Sequence, residues 1–194
     1  MITIKTVSLR FLFSLLLLSD SIHRSHIHTH GALAFQLQSS ATIRNIQRDE
    51  LHDFLATPTH WPEIVLSSHS VKCPPSSSND RIDVPLKEGD AVEEIFGLPP
   101  LLPLSVMWKC VKSDKPNGRL EFYSDEGVPG FADRCAMKFD ISEYPERKCC
   151  SVDLAMEFMP LNPIVPLGIP LLNLDNNLAI NVLLPKALEK SARN

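Results

Sequence analysis

The run Pro160-Leu161-Asn162-Pro163-Ile164-Val165-Pro166-Leu167-Gly168-Ile169-Pro170 leads into Leu171–Leu188, the most apolar segment outside the N-terminal leader. Leu171, Leu174, Leu178 and Val182 share one side at helical spacing. Ile180, Leu183, Leu184 and Leu188 widen that side until apolar residues cover most of the circumference. Asn173, Asn177 and Asn181, four apart, form a narrow polar stripe. Pro170 suits a first helical turn, where its missing N–H would be unpaired anyway. Pro185 cannot donate to the Asn181 carbonyl, which predicts a kink or a loosened turn there. Asp175 and the asparagines interrupt the segment, and before Pro185 it is too short for a membrane span. A helix this apolar needs enclosure, and a curved sheet gripping it is the expected solution.

The segments before it supply such a sheet. In Phe131–Tyr144, Asp133, Cys135, Met137, Phe139 and Ile141 alternate against Arg134, Lys138, Asp140 and Ser142. In Lys148–Met159, Cys150, Val152, Leu154, Met156 and Phe158 alternate against Ser151, Asp153 and Glu157. Turned about Tyr144-Pro145-Glu146-Arg147, the two make a hairpin. Its expected register sets Glu143 opposite Lys148, Ile141 opposite Cys150, Met137 opposite Leu154 and Asp133 opposite Phe158. All the apolar side chains then share one face. Burying each is worth roughly 1.5–3 kcal/mol, so leaving that face in water would cost more than a domain's whole stability. Asp133 is its one acid, read as a solvated strand end or as a polar handle at a pocket mouth.

Upstream, Ala41–Ile46 is β-like, and Arg48–Ala56 is a short helix with Leu51, Phe54 and Leu55 on one side, ended by Pro58. Thr59–Val65 is a second helical turn. His60, beside Trp61, has no Ser, Cys or acid at motif spacing and reads as structural. Further strands are expected at Leu66–Cys73, Asp90–Phe96, Ser105–Ser113 and Arg119–Ser124. Pro74–Arg81 is a loop, and Asp114-Lys115-Pro116-Asn117-Gly118 is a turn. Gly97–Leu104 is an apolar loop, which is unusual. It reads as a lid, as a transient membrane contact through Leu98–Leu104, or as loop packed on the core.

The 194 residues suit one domain and a leader, and a net charge of −4 excludes a nucleic-acid footprint. Lys5 and Arg10 precede the apolar block Phe11–Leu18, a signal-peptide pattern too short to span a bilayer. Ala32-Leu33-Ala34 before Phe35 is a small-x-small cleavage site, with cleavage nearer Ser21 the alternative. No acid follows until Asp49. A signal peptide and then an acid-poor Ser/Thr stretch resembles the bipartite plastid presequences of diatoms and related algae, which implies the plastid. The mitochondrion and the secretory pathway are the alternatives. The division is a leader over 1–35, a transit-like linker over 36–40 and a domain over 41–194. His23, His26, His28 and His30 lie in the leader without a supporting Cys or carboxylate cluster, so no metal site is expected. Cys73, Cys110, Cys135, Cys149 and Cys150 are odd in number and lack a C-x-x-C, against a disulfide framework.

The order strand, two short helices, antiparallel meander and long C-terminal helix resembles the START-like (SRPBCC) superfamily, from Ala41 to the end. That superfamily includes polyketide cyclase-like, lipid-transfer and coenzyme Q-binding-like proteins. The telling local piece is Phe54-Leu55-Ala56-Thr57-Pro58-Thr59-His60-Trp61-Pro62-Glu63-Ile64-Val65, followed by Ser70-Val71. The Pro160–Pro170 run departs from the superfamily's usual short link. The resemblance implies an α+β helix-grip fold: a curved antiparallel sheet of about six to seven strands wrapped around the C-terminal helix, with a cavity between. The candidate walls are Trp108, Phe122, Cys135, Met137, Leu154, Met156, Leu178 and Val182, with Asp133, Asn177 and Asn181 as polar handles. Met and Cys suit an adaptable wall for a prenyl or acyl chain. The expected function is non-enzymatic binding or transport of a lipophilic small molecule, such as a quinone, isoprenoid, pigment or acyl lipid, with no cofactor. The alternatives are a cyclase or isomerase acting in the same cavity, and a dry interaction or assembly domain.

Overall fold

In the computed structural model, which describes residues 34–74, 81–98 and 102–193, alternation of apolar and polar residues becomes one seven-stranded sheet. The strands are β1 (Phe35–Arg44), β2 (Ser68–Lys72), β3 (Ala91–Leu98), β4 (Leu102–Asp114), β5 (Arg119–Ser124), β6 (Ala132–Tyr144) and β7 (Cys149–Pro160). Every pairing is antiparallel, in the spatial order β1-β7-β6-β5-β4-β3-β2. The sheet curls into a half-barrel around the C-terminal helix, an α+β helix-grip fold. The leader and its histidines lie outside the described residues, apart from Ala34 and Phe35.

Between β1 and β2 come α1 (Arg48–Ala56), a 3₁₀ turn (Pro58–His60) and the single turn α2 (Trp61–Ile64). Leu51 and Leu55 of α1 are fully buried, and Trp61 meets Phe122 of β5 edge to face at 5.2 Å. These helices close one end of the concave face. Trp61 Nε1 donates to the Leu55 carbonyl at 2.9 Å, which satisfies its only donor inside the core. The β4–β5 turn needs Gly118 at φ +65°, where a Cβ would collide with the Ile141 carbonyl.

Gly97–Leu104, expected as a loop, is strand at both ends: Gly97 and Leu98 close β3, and Leu102, Pro103 and Leu104 open β4. The structure departs from expectation in four further places. The first strand begins at Phe35 rather than Ala41, because Leu37, Ser39 and Ile43 continue the inward alternation along β7. The β6–β7 hairpin is two residues out of the expected register: Glu143 faces Cys150, Ile141 faces Val152 and Met137 faces Met156. The connection is a 3₁₀ turn over Pro145–Arg147 plus Lys148 at φ 49°, longer than a tight turn. A slip of two preserves which side chain faces which way, so alternation alone could not detect it.

Third, a bulge lies between Asp133 and Ala136, with Arg134 at φ 46°. The extra residue reverses the alternation below it, so Asp133 pairs with Met159 on the outer face rather than joining Cys135 on the inner one. Fourth, the C-terminal helix starts at Val165, with Pro170 inside it. It runs as α3 (Val165–Leu178), a π-helical turn (Ala179–Leu183) and α4 (Leu184–Ser191). The turn that Pro185 cannot bond is the π turn, so the chain loosens there without breaking. It is 27 residues long, and an 18-residue window within it reaches a mean hydropathy of 1.2, which meets the length and composition of a membrane span. In this fold the helix lies on β1, β7 and α2.

Candidate functional site

Strand parity puts six expected wall residues on the concave face: Trp108 of β4, Phe122 of β5, Cys135 and Met137 of β6, and Leu154 and Met156 of β7. Trp108, Phe122, Cys135 and Leu154 are buried, whereas Met137 and Met156 keep accessible surface. These two methionines are cross-strand partners in the middle of the sheet, flanked by buried Phe122 and Leu154. The cover is therefore less closely packed over these two side chains than over their buried neighbours. Phe96, Leu104 and Phe131 on the strand ends and Ile169 and Leu172 on the helix are likewise half-buried. The apolar concavity is therefore sealed by α1 and α2 at one end and looser toward the other.

The helix presents a different side from the one expected. Its buried line is Asn176, Ala179, Ile180, Leu184 and Ala187, continued toward the start by half-buried Leu172, Ile169 and Val165. The small side chains of Ala179 and Ala187 let the helix approach β1 and α2 closely. Leu174 (52 % exposed) and Val182 face outward with Ile164 (69 %) and Leu167 (64 %). Leu178 is half-buried on the flank. The asparagine stripe bonds along its own helix: Asn177 Nδ2 donates to the Asn173 carbonyl at 2.7 Å, and Asn181 Nδ2 to the Asn177 carbonyl at 3.2 Å. Asn177, Asn181 and Val182 thus stand apart from the six wall residues, as does Asp133, whose carboxylate lies 3.5 Å from Arg134 Nε.

The polar groups that do enter the concavity were not among those expected. Asn176 is buried, with Nδ2 3.1 Å from Met156 Sδ. Glu94 alternates inward with Val92 on β3 and is 9 % exposed. Trp108 Nε1 donates to Glu94 Oε2 at 2.9 Å. Burial pushes the Glu94 carboxyl up, against the lowering effect of Ser68 and Trp108, and negative Asp175 adds to the rise. Asp175 is itself well supplied with donors, from Leu66 N at 3.1 Å, Ser67 N at 3.3 Å and Ser67 Oγ at 2.5 Å. It ties the helix to the link before β2. The Val92-Glu93-Glu94-Ile95-Phe96 pattern held the one available signal, since parity with Val92 sends Glu94 inward.

The remaining titratable groups are structural. His60 bonds the Phe54 carbonyl through Nδ1 at 3.0 Å and stacks on the Phe54 ring at 4.0 Å. His52 is buried against the Arg119 carbonyl, and burial lowers its pKa. Cys110, Cys135, Cys149 and Cys150 form no disulfide, and burial pushes Cys110 up to about 12 and Cys135 and Cys150 to about 11, which disfavours their thiolates. A groove of about 290 Å³ lined by Glu50, Asp53, Phe54, Thr57, His60, Pro85, Leu188 and Ser191 lies outside the sheet, between α1 and α4. Its Asp53 is held by Lys115 at 2.6 Å. No cluster of metal-ligating side chains occurs among the described residues.

No protein-family model and no curated protein matches the sequence. Solved structures do match the fold. The Zhui aromatase/cyclase from Streptomyces sp. R1128 aligns with TM-score 0.62 and 9 % identity, over 82 % of this chain and 96 % of that one. A START superfamily protein from Mycobacterium smegmatis aligns with TM-score 0.55 and 8 % identity, over 81 % and 97 %. Ginseng major latex-like protein 151 from Panax ginseng aligns with TM-score 0.54 and 15 % identity, over 82 % and 97 %. Identities this low carry the fold and nothing further: the described residues adopt a helix-grip fold like that of these START-type structures.

Proposed function

We propose that the chain binds and carries a lipophilic small molecule, a quinone, isoprenoid, pigment or acyl lipid, in the space between sheet and C-terminal helix. The carrying observation is the accessible surface left on Met137 and Met156 in the middle of an otherwise packed concave face. Two adjacent methionines give a wall that adapts to a flexible chain. Few polar groups enter, as in sites that bind mostly by apolar contact. Mass spectrometry of molecules that co-purify with the protein tests this reading. One unchanged lipid supports carriage, whereas an empty protein that takes up no lipid leaves a dry interaction domain.

One observation favours a second reading, a cyclase or isomerase acting on a hydrophobic substrate. Glu94 is a buried inward acid with a raised pKa, a condition suited to proton transfer. Turnover of a bound polyketide-like substrate, abolished in Glu94→Gln, would replace carriage by catalysis.

Loading in this reading takes place at a membrane. Leu161, Ile164 and Leu167 at the start of the C-terminal helix are exposed large apolar residues, and the Leu98–Leu104 hairpin, whose tip lies outside the described residues, is apolar in sequence. Co-sedimentation with neutral phosphatidylcholine vesicles, weakened in Ile164→Asp with Leu167→Asp, is the expected result. The leader's signal-peptide pattern followed by an acid-poor Ser/Thr stretch supports a plastid address, which a fluorescent fusion of residues 1–40 tests.

A further inference from the structure

The C-terminal helix carries two apolar stripes, and the sheet takes up only one. Val165, Ile169, Leu172, Asn176 and Ile180 turn inward. On the opposite side stand Ile164 (69 % exposed), Leu167 (64 %) and Leu174 (52 %), with half-buried Leu171 and Leu178 in the same line. Only 22 % of the most apolar 18-residue window of the helix is buried. Among the described residues, six of the eight exposed large apolar side chains lie on or beside this line. They are the three just named, Leu161 before it, Val182 beyond it and Leu66, whose amide donates to Asp175 at 3.1 Å. Single exposed apolar residues are ordinary, whereas a gathered patch marks an interaction surface.

The spacing says what fits the patch. Ile164, Leu167, Leu171, Leu174 and Leu178 recur at steps of three, four, three and four residues, the a/d seam of a coiled coil. The π turn takes an extra residue and so carries the line on to Val182. A second helix fills such a narrow seam. A helix lying in a membrane interface has a broader apolar face and a polar side rich in lysine and arginine. This seam is edged instead by Asn173 and Asn177, which bond along their own helix. Between Pro160 and Lys186 the one charged residue is Asp175, and Leu66 and Ser67 engage its carboxylate.

We infer that the outward stripe pairs the chain with a second copy of itself, helix against helix and antiparallel. A two-fold contact sets a surface against its own copy, so charge on it would repel itself, and an uncharged seam avoids that. The antiparallel arrangement opposes the helix dipoles and keeps apart the last turns, which carry Lys186, Lys190 and Arg193. Leu171 then meets Leu174 of the second copy, and Leu167 meets Leu178, each pair repeated by the two-fold axis. With Leu66 and Leu161 at its margins, the face falls below the roughly 800 Å² per partner of a standard interface, so a pair of micromolar strength is expected. The pairing does not depend on lipid carriage. It shares Ile164 and Leu167 with the vesicle contact proposed above, so a paired chain must part to reach a membrane.

Sedimentation equilibrium of the full chain over roughly 1–100 µM, where a contact of this size associates, is the test. The mass is expected to rise from one chain to two. Leu167→Lys with Leu174→Lys should weaken the pair at least about 100-fold, by burying unpaired charge, while the melting temperature holds because both side chains face outward. Under oxidation, Leu167→Cys with Leu178→Cys should link the two copies, and Ile164→Cys should not link to itself, with the unmodified chain as the control for the native cysteines. A chain that stays monomeric over the range overturns the inference, and if that monomer binds phosphatidylcholine vesicles the stripe is a lipid face. Association unchanged in the double lysine variant overturns it as well, because another surface then holds the chains together. A link through Ile164→Cys overturns the antiparallel pairing.

Discussion

The closed and open halves of the concave face are built from the same residue types and packed to different ends. At the closed half, Leu120, Phe122, Phe139 and Ile141 are buried with Leu51, Leu55 and Trp61, and the buried polar side chains nearby include His52, Thr57, bonded to the Asp53 carbonyl, and Ser124, bonded by the Gly127 amide. At the open half, Met137, Met156, Phe96, Leu104 and Leu172 keep accessible surface, and Glu94, Ser68 and Asn176 come inward. Two short helices plug the first region, whereas the second is covered by one helix leaning on β1, β7 and α2. The difference teaches where stability and function separate. Close packing at one end supplies the stability that lets the other end stay loose.

Substitutions should separate the halves. Phe122→Ala, at the closed end, is expected to cost about 3–5 kcal/mol in urea unfolding, because surrounding side chains cannot collapse into the hole. A cost below that of the open-half variants would break the comparison. Asp175→Ala removes a charged acceptor serving three donors and should cost about 2 kcal/mol. Its signature is faster hydrogen exchange at the Leu66 and Ser67 amides, whose bonds to Asp175 are lost. Met137→Ala should cost only about 1 kcal/mol, since it enlarges a space already present.

The smallest effects are in pH dependence, and they have opposite signs. The pKa of His52 is lowered below 6.5 in the fold, so the unfolded chain binds the extra proton and stability falls as pH drops through 6.5. The pKa of Glu94 is raised above 4.5, so the folded state holds its proton longer. Stability then declines as pH rises from 4.5 toward the folded value. Melting temperatures from pH 4 to 8 should show His52→Gln removing the acid-side loss and Glu94→Gln removing the other.

Much of this was legible in the sequence. Period-two alternation located the long strands β4, β6 and β7 and the direction in which six of the expected side chains face, because burial of one face imposes that pattern whatever the register. Alternation carries no information about a two-residue slip, so the β6–β7 pairing needed the turn geometry. It also fails across a bulge, which is how Asp133 came to the outer face. The helix was the hardest element. With leucine and valine on nearly every side, apolar content could not choose a phase, and the choice fell to small residues, Ala179 and Ala187, that permit close approach. Asn177, Asn181 and Val182 consequently turned outward and Asn176 inward. Glu94 was hidden beside Glu93, since an acidic pair on a strand reads as solvated unless its neighbours' alternation is followed.

The central claim is that the space over Met137 and Met156 holds one lipophilic molecule. Native mass spectrometry of the full chain exposed to 2-heptadecanone tests it most directly, alongside a Met156→Trp variant whose indole fills that space. The account predicts one bound ketone per chain, lost in Met156→Trp while the variant keeps its melting temperature to within a few degrees. An adduct that persists in the filled variant, or a chain that takes up no ketone at all, would contradict it.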